Sequence, residues 1–531
     1  MHRNSLPFFL SILQILLTLG PLSAGKKKTT YNFKPAHAPM LSITKEESQH
    51  HVNILASSEF AGRGTGTPGQ WLAAKYIASE FSKYGLVPVG HEGKYYQKFQ
   101  VIKPDLKSTS FSIQKNRSTI EFSVKSDFIP FSFSGENKVN APVVFAGYGI
   151  TAPEYGYDDY KSIAVKGKIV LVLRHEPQEN DPESIFDGTE LTRHALFEEK
   201  TENAKRHGAA GILLVTDPNG HHGSMSPQGS WNSLYPARNI KKRWQLEDLK
   251  TELKFPAVWI SGKVAENILM ETGYSLASLQ TSIDKLFKPK SFTIPQLKIK
   301  IAVTLKKEVQ KTQNVVGFLQ GADPKLLDEI IVIGAHYDHV GMKNGRIFYG
   351  ADDNASGTAG LLEIAEAFSN MSTRPRRSIL FVAFSAEELG LLGSKFYVEH
   401  PVKPLNKTVA MINLDMISRN RANKVTVIGS NRSRELHEIN IAANDEIGLD
   451  LVYNGERYFS RSDQANFAKY KIPVIFYNTD AHRDYHRPTD TAEKIDAEKL
   501  ARVARLAFLV VWEIANSNTR PTYGRFKAPL D

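Results

Sequence analysis

Glu329-Ile330-Ile331-Val332-Ile333 runs straight into Gly334-Ala335-His336-Tyr337-Asp338-His339. Five residues that are almost wholly apolar give way to six that carry two imidazoles and a carboxylate. Three further apolar runs follow, at Ser378 to Phe384, Thr408 to Leu414 and Pro473 to Tyr477. Runs this continuous read as strands buried on both faces, the signature of a mainly parallel sheet covered by helices. Between the first two, Leu361, Ile364, Ala365 and Phe368 recur at helical spacing after Ser356, which is expected to cap that helix. The fold class expected is α/β, with a mixed, mainly parallel sheet sandwiched by helices.

In open sheets of this kind, ligands bind beyond the carboxyl ends of the strands. The residues just after each run are therefore the informative ones. They are His336 to His339, a glycine-rich loop reaching Asp352-Asp353-Asn354, then Glu387-Glu388, Asp415, and finally Tyr485-His486-Arg487-Pro488-Thr489-Asp490. Singly, each has a structural explanation: an Asx turn, a helix start, a hydrogen-bonded imidazole. Together they put several carboxylates at one buried edge, where mutual repulsion demands a cation. The chain has no cysteine, so a metal must be held by His, Asp and Glu, which favours zinc. Five ligands are available: His336, Asp352, Glu388, Asp415 and His486. Five donors suit two ions that share one carboxylate, a pairing that polarises a carbonyl and acidifies a bridging water. Glu387 is left over beside a ligand, where a general base is wanted. Asp338, two residues after His336, is expected to accept the N–H of that imidazole and fix its orientation.

Working outward, residues 137–285 change to short β-like runs at Pro142 to Phe145, Lys168 to Leu173, Gly211 to Val215 and Phe255 to Ile260. His221-His222 has no acidic neighbour and reads as a solvated loop. Upstream, Ile43 to Ser58 is helix-like. A second helix is expected over Gln70 to Tyr84, with Trp71, Ala74, Ile77 and Phe81 on its apolar face. Gly64 to Gly69 matches GxGxxG literally, but no strand precedes it, so a dinucleotide site is rejected in favour of a loop before that helix. Residues 26–40 read as a linker. Arg3, the apolar stretch Leu6 to Leu19 and Ser23-Ala24-Gly25 read as a cleaved signal peptide over residues 1–25. An exported, periplasmic or extracellular protein with no remaining membrane anchor is expected.

The chain has 531 residues, of which 41% are hydrophobic and 23% charged, which excludes a disordered or low-complexity scaffold. Its net charge of +11 is interleaved along the chain rather than clustered, so no nucleic-acid partner is expected. No H-E-x-x-H, G-x-S-x-G or Walker lysine motif occurs.

His336-Tyr337-Asp338, Gly350 to Gly357, Glu387-Glu388, Asn413 to Met416 and His486 to Thr491 resemble the dinuclear zinc exopeptidases of metallopeptidase family 28. The resemblance implies that two zinc ions are bridged by Asp352. It gives His336 and Asp415 to one ion, Glu388 and His486 to the other, and the catalytic carboxylate to Glu387. It also matches Asp353 to a residue that follows the bridge in a cis peptide. Phe145-Ala146-Gly147-Tyr148-Gly149, Val165 to Val170 and Gly208 to Ile212 resemble a non-catalytic protease-associated (PA) domain. That domain would be inserted at 137–285 into a peptidase formed by 41–136 and 286–531. The function implied is a secreted aminopeptidase acting on peptides with a free N-terminus. Alternatives on the same fold are a glutaminyl cyclase, a carboxypeptidase, or a receptor-like ectodomain without activity. Side-chain specificity and oligomeric state are not legible.

Overall fold

The computed structural model describes residues 31–219, 244–247, 254–524 and 526. The signal peptide and the His221-His222 pair lie outside the described residues. The chain opens with α1 (Lys34–Leu41), α2 (Lys45–Leu55), α3 (Pro68–Lys83) and β1 (Tyr96–Lys115). There follow β2 (Asn137–Ala146), β3 (Ile169–Leu173), α4 (Phe197–Arg206), β4 (Gly211–Val215), β5 (Ala257–Ile260), α5 (Gly262–Leu269) and α6 (Leu276–Leu286). The remainder comprises β6 (Ser291–Leu319), β7 (Ile330–His336), α7 (Gly357–Ser369), β8 (Ser378–Phe384), α8 (Leu392–Glu399), β9 (Thr408–Leu414), β10 (Lys424–Ile428), α9 (Arg434–Ile447), β11 (Val474–Asn478) and α10 (Ala497–Asn516).

The principal strands form one sheet in the order β10-β11-β9-β7-β8-β6-β2-β3-β4-β5. β7 runs parallel to β8 and β9, and β9 runs parallel to β11. β6 is antiparallel to β8, and β10 to β11. The sheet is therefore mixed, with a parallel centre, as its apolar runs predict. Every residue of β7, β8 and β9 is buried. One face is covered by α1, α2, α3, α7 and α10, whose Ile77, Phe81, Leu361, Ile364, Val503 and Phe508 share a core with Ile331 and Ile412. The other face packs Leu380, Val382 and Met411 against Tyr397, Phe467 and Val474. Burying each such aliphatic side chain contributes roughly 1.5–3 kcal/mol, so both layers are needed to hold the strands in register.

β6 joins the two halves of the molecule. Ser291 to Val303 pair with β2 of the inserted unit, whereas Val315 to Leu319 pair with β8 of the catalytic sheet. Along its other edge, Leu297 to Val315 pair with β1. The β1 strand is not anticipated from the sequence, because Lys98, Lys103, Pro104 and Lys107 interrupt its apolar pattern.

Three local expectations fail. Residues 34–40, placed in a linker, lie within α1, because Pro35 suits a first helical turn and Ala36 and Met40 bury against the core. Trp71 points away from the α3 core face and is 41% exposed, whereas Ala74, Ile77 and Phe81 are buried as expected. Ser356 does not cap α7; its hydroxyl donates instead to the Asp352 carbonyl at 2.7 Å.

Candidate metal centre

Because β7, β8, β9 and β11 run parallel, their carboxyl ends share one edge. β7 ends at His336, β8 leads into Glu387-Glu388, β9 leads into Asp415, and β11 leads to the 482–490 turn. The turn between β7 and α7 supplies Asp353. Its start requires Gly350, whose φ is +59° and whose missing Cβ would lie 2.4 Å from the His339 ring.

Asp353 stands between two groups of side chains. Its Oδ1 lies 3.4 Å from His336 Nε2, which in turn lies 3.4 Å from Asp415 Oδ1. Its Oδ2 lies 3.0 Å from His486 Nε2, which lies 3.2 Å from Glu388 Oε2. Two donor sets result, one of His336, Asp353 and Asp415, the other of His339, Asp353, Glu388 and His486. Glu387 borders the first set, with Oε2 4.0 Å from His336 Nε2.

Burial raises the Glu387 carboxyl well above its usual range, and Asp415, Glu388 and Asp463 add to that while His336 opposes it. Burial alone would lower the His486 imidazole, but its hydrogen bonds to Asp353 and Glu388 outweigh this and push it up to about 10. Buried nitrogen and oxygen atoms with unsatisfied hydrogen-bond geometry converge here: His339 Nε2 and Asp415 Oδ1, together with the His339 Nδ1 and Glu388 Oε1 pair, which lie 2.9 Å apart. Orphaned nitrogen and oxygen lone pairs with no thiolate fit a borderline divalent cation such as zinc.

Residues 314–511 match the sequence profile of Peptidase family M28, and residues 139–268 match that of the PA domain. The chain therefore contains a segment of the Peptidase family M28 type and a PA domain. With the aminopeptidase relatives that follow, these matches make it a metallo-exopeptidase, an enzyme that hydrolyses peptide bonds. Aminopeptidase YwaD of Bacillus subtilis (strain 168) is 27% identical over 530 residues, 95% of this chain and 93% of that protein. Aminopeptidase NAALADL1 of Rattus norvegicus is 28% identical over 308 residues, spanning 50% of this chain and 40% of that protein. A solved aminopeptidase from Aneurinibacillus sp. strain AM-1 is 23% identical, with 93% of this chain and 98% of that chain covered and a TM-score of 0.46.

The geometry of the site corrects the sequence expectation at Asp352. That side chain turns away from the imidazoles of both donor sets, and its Oδ1 accepts the backbone N–H and hydroxyl of Ser418 at 3.0 and 2.6 Å. Asp353 occupies the central position instead, and the cis peptide is Asp353–Asn354, one residue later than expected. His336, Glu388, Asp415 and His486 do come together. Asp338 also differs in detail. The nearest acceptor to His336 Nδ1 is the Asp338 carbonyl oxygen at 3.1 Å, whereas its carboxylate Oδ1 lies 3.9 Å away. That carboxylate instead accepts the Glu387 backbone N–H at 3.1 Å and the Thr65 hydroxyl at 2.8 Å. Burial raises it to about 6.

Three contributors are missed from sequence. His339, quoted in the strand-end motif but given no role, sets Nδ1 2.9 Å from Glu388 Oε1. Arg63, fully buried, donates to the Tyr337, Tyr349 and Gly350 carbonyls at 2.8, 2.9 and 2.7 Å. It pins both site turns to the N-terminal segment. Tyr485, 39% exposed, stacks on the His486 ring at 4.0 Å. The buried Ser462 hydroxyl accepts from the Asn413 side-chain amide at 2.8 Å. A cleft of about 850 Å³ opens beside His339 and Glu388, walled by Thr65, Gln310, Leu389, Lys103 and Trp244.

Proposed function

We propose that the protein is a zinc-dependent aminopeptidase that removes the N-terminal residue of peptides, with two zinc ions per chain. The observation that carries this reading is Asp353, whose two carboxylate oxygens face different donor sets. His336 and Asp415 with Asp353 Oδ1 would hold one ion; Glu388 and His486 with Asp353 Oδ2 would hold the other. His339 would orient Glu388. Bound zinc supplies Lewis acidity toward the scissile carbonyl and acidifies water.

The remaining steps belong to the chain's own side chains. Glu387, buried and held by its backbone N–H on Asp338, takes the proton of the attacking water and returns it to the leaving amine. Burial raises its pKa, the direction that favours return of the proton to the leaving amine. The cleft beside His339 and Glu388 has room for a peptide residue or two. The relatives named as aminopeptidases support a free N-terminus as the recognised feature. A terminal carboxylate has less support, since the Arg483 side chain near His486 is 87% exposed. The leader-like start of the sequence supports export.

The test is release of a chromogenic amine from aminoacyl anilides. Hydrolysis of unblocked substrates, abolished by chelation, restored by zinc, and absent on N-acetylated substrates, is expected. Cyclisation of N-terminal glutamine, or activity on N-blocked peptides with a free carboxylate, would overturn the reading.

A further inference from the structure

Two buried carboxylates stand behind the ligand cluster and tie its turns together. Asp490 Oδ2 accepts the backbone N–H groups of Asp352 and Asp353 at 3.1 and 3.2 Å. Asp490 follows His486 by only four residues. The peptide that carries Asp353 is thus clamped to the turn that carries His486, although 133 residues separate the two. Asp352 does the equivalent toward Asp415. Its Oδ1 accepts from the backbone and hydroxyl of Ser418 at 3.0 and 2.6 Å and from the Ser356 hydroxyl at 3.2 Å. Ser418 follows Asp415 by three residues.

The pair of carboxylates is itself organised. His482 Nδ1 accepts the Asp484 backbone N–H at 3.3 Å, which leaves the ring proton on Nε2. That Nε2 lies 3.3 Å from Asp352 Oδ2 and 4.0 Å from Asp490 Oδ1. Arg419 Nη1 lies 3.4 Å from Asp490 Oδ1, and its Nη2 lies 2.9 Å from Asp484. Asp352 and Asp490 are both fully buried, so each would be costly without the N–H and O–H donors on Asp352 Oδ1 and those from the backbone and Arg419 on Asp490; His482 Nε2 faces Asp352 Oδ2 without forming a hydrogen bond. Charge-assisted bonds from a carboxylate to backbone N–H groups are among the stronger and more directional ones available. Here they cross-link three turns, 352–356, 415–418 and 482–490, that carry donors from both sets.

We propose that Asp490 and Asp352 are positioning residues that fix Asp353 relative to His486 and Asp415, and so set how tightly divalent cations are held. The proposal rests on the reading that Asp353 is the shared ligand. It assigns the two carboxylates no contact with substrate or metal. In Asp490→Ala the two N–H groups lose their acceptor. In Asp490→Asn the amide oxygen can still accept both, so most of the function is retained.

The test uses the full chain and zinc itself. Zinc dissociation constants are measured by chelator competition for the wild type, D490A, D490N, D352A and Ser418→Ala. The visible absorption of the cobalt-substituted forms is recorded beside them. D490A and D352A are expected to bind zinc 10–100-fold more weakly, with an altered cobalt spectrum and a lower kcat at saturating zinc but little change in KM. D490N is expected within tenfold of wild type. Should D490A or D352A not fold, D490N and Ser418→Ala carry the comparison, with a two- to tenfold weakening and a shifted cobalt spectrum expected. Wild-type zinc affinity and cobalt spectra in every folded variant would overturn the proposal while leaving the metal reading intact. A wild-type chain that binds no zinc would overturn both.

Discussion

Asp338 Oδ1 accepts the backbone N–H of Glu387 at 3.1 Å, so the residue two after His336 also holds the peptide in front of the proposed general base. The same carboxylate takes the Thr65 hydroxyl through its other oxygen. Asp338→Ala should therefore leave a buried N–H and a hydroxyl unpartnered, at about 1–3 kcal/mol each. The expected result is a lower melting temperature and a kcat reduced roughly 10–100-fold, with KM little changed, if misplacement of the base by a fraction of an ångström has its usual cost. Asp338→Asn, which keeps one acceptor oxygen, should retain most of both. Steady-state kinetics with thermal melting checks this, and equal kcat in D338A and wild type would remove Asp338 from the account.

Glu387→Gln should fold, bind zinc as the wild type does, and lose ~10²–10⁴ in kcat. That factor corresponds to roughly 3–5 kcal/mol of barrier. Metal content by elemental analysis, read beside turnover, separates loss of proton transfer from loss of metal. Normal turnover in this variant would refute the role.

Much of this was legible in the residues, and the failures share a cause. The apolar runs of β7, β8 and β9 are unambiguous because a strand buried on both faces leaves no polar positions. His336, Glu388, Asp415 and His486 could be found because a parallel sheet sends strand ends to one edge. Asp352 and Asp353 could not be told apart. They sit in an irregular turn, without the 3.6 or 2 periodicity that says which of two neighbours faces inward. Their environments decide it: Ser418 and Ser356 donate to Asp352 Oδ1, whereas the His336 and His486 imidazoles meet Asp353. Arg63 and Asp490 were illegible for a related reason. Their partners are backbone groups of Gly350, Asp352 and Asp353, far away in sequence.

His339→Ala removes the ring that faces Glu388 Oε1 at 2.9 Å. Zinc affinity is expected to fall 10–100-fold, as is usual when a group that orients a ligand is lost. Chelator competition measures it. Unchanged affinity would mean that Glu388 is held without His339.

Lys499 gives a pH prediction away from the metal site. Its Nζ donates to the Arg419 and Arg421 carbonyls, and burial lowers its pKa from the usual 10.5 to about 8. Between these values the unfolded chain carries the proton and the folded chain does not. Its contribution to stability is therefore fully present above 10.5 and is lost as pH falls through about 8. In Lys499→Met that dependence disappears. The melting-temperature gap between wild type and variant should widen from pH 8 toward pH 10; a constant gap would contradict the assignment.

Two cations that share Asp353 are the core of the proposed mechanism. Crystals of the zinc-loaded full chain, with anomalous scattering recorded at the zinc edge, address this directly. Two peaks per chain are predicted, each about 2.0–2.2 Å from a different oxygen of Asp353. A single peak, or peaks placed away from Asp353, would contradict it.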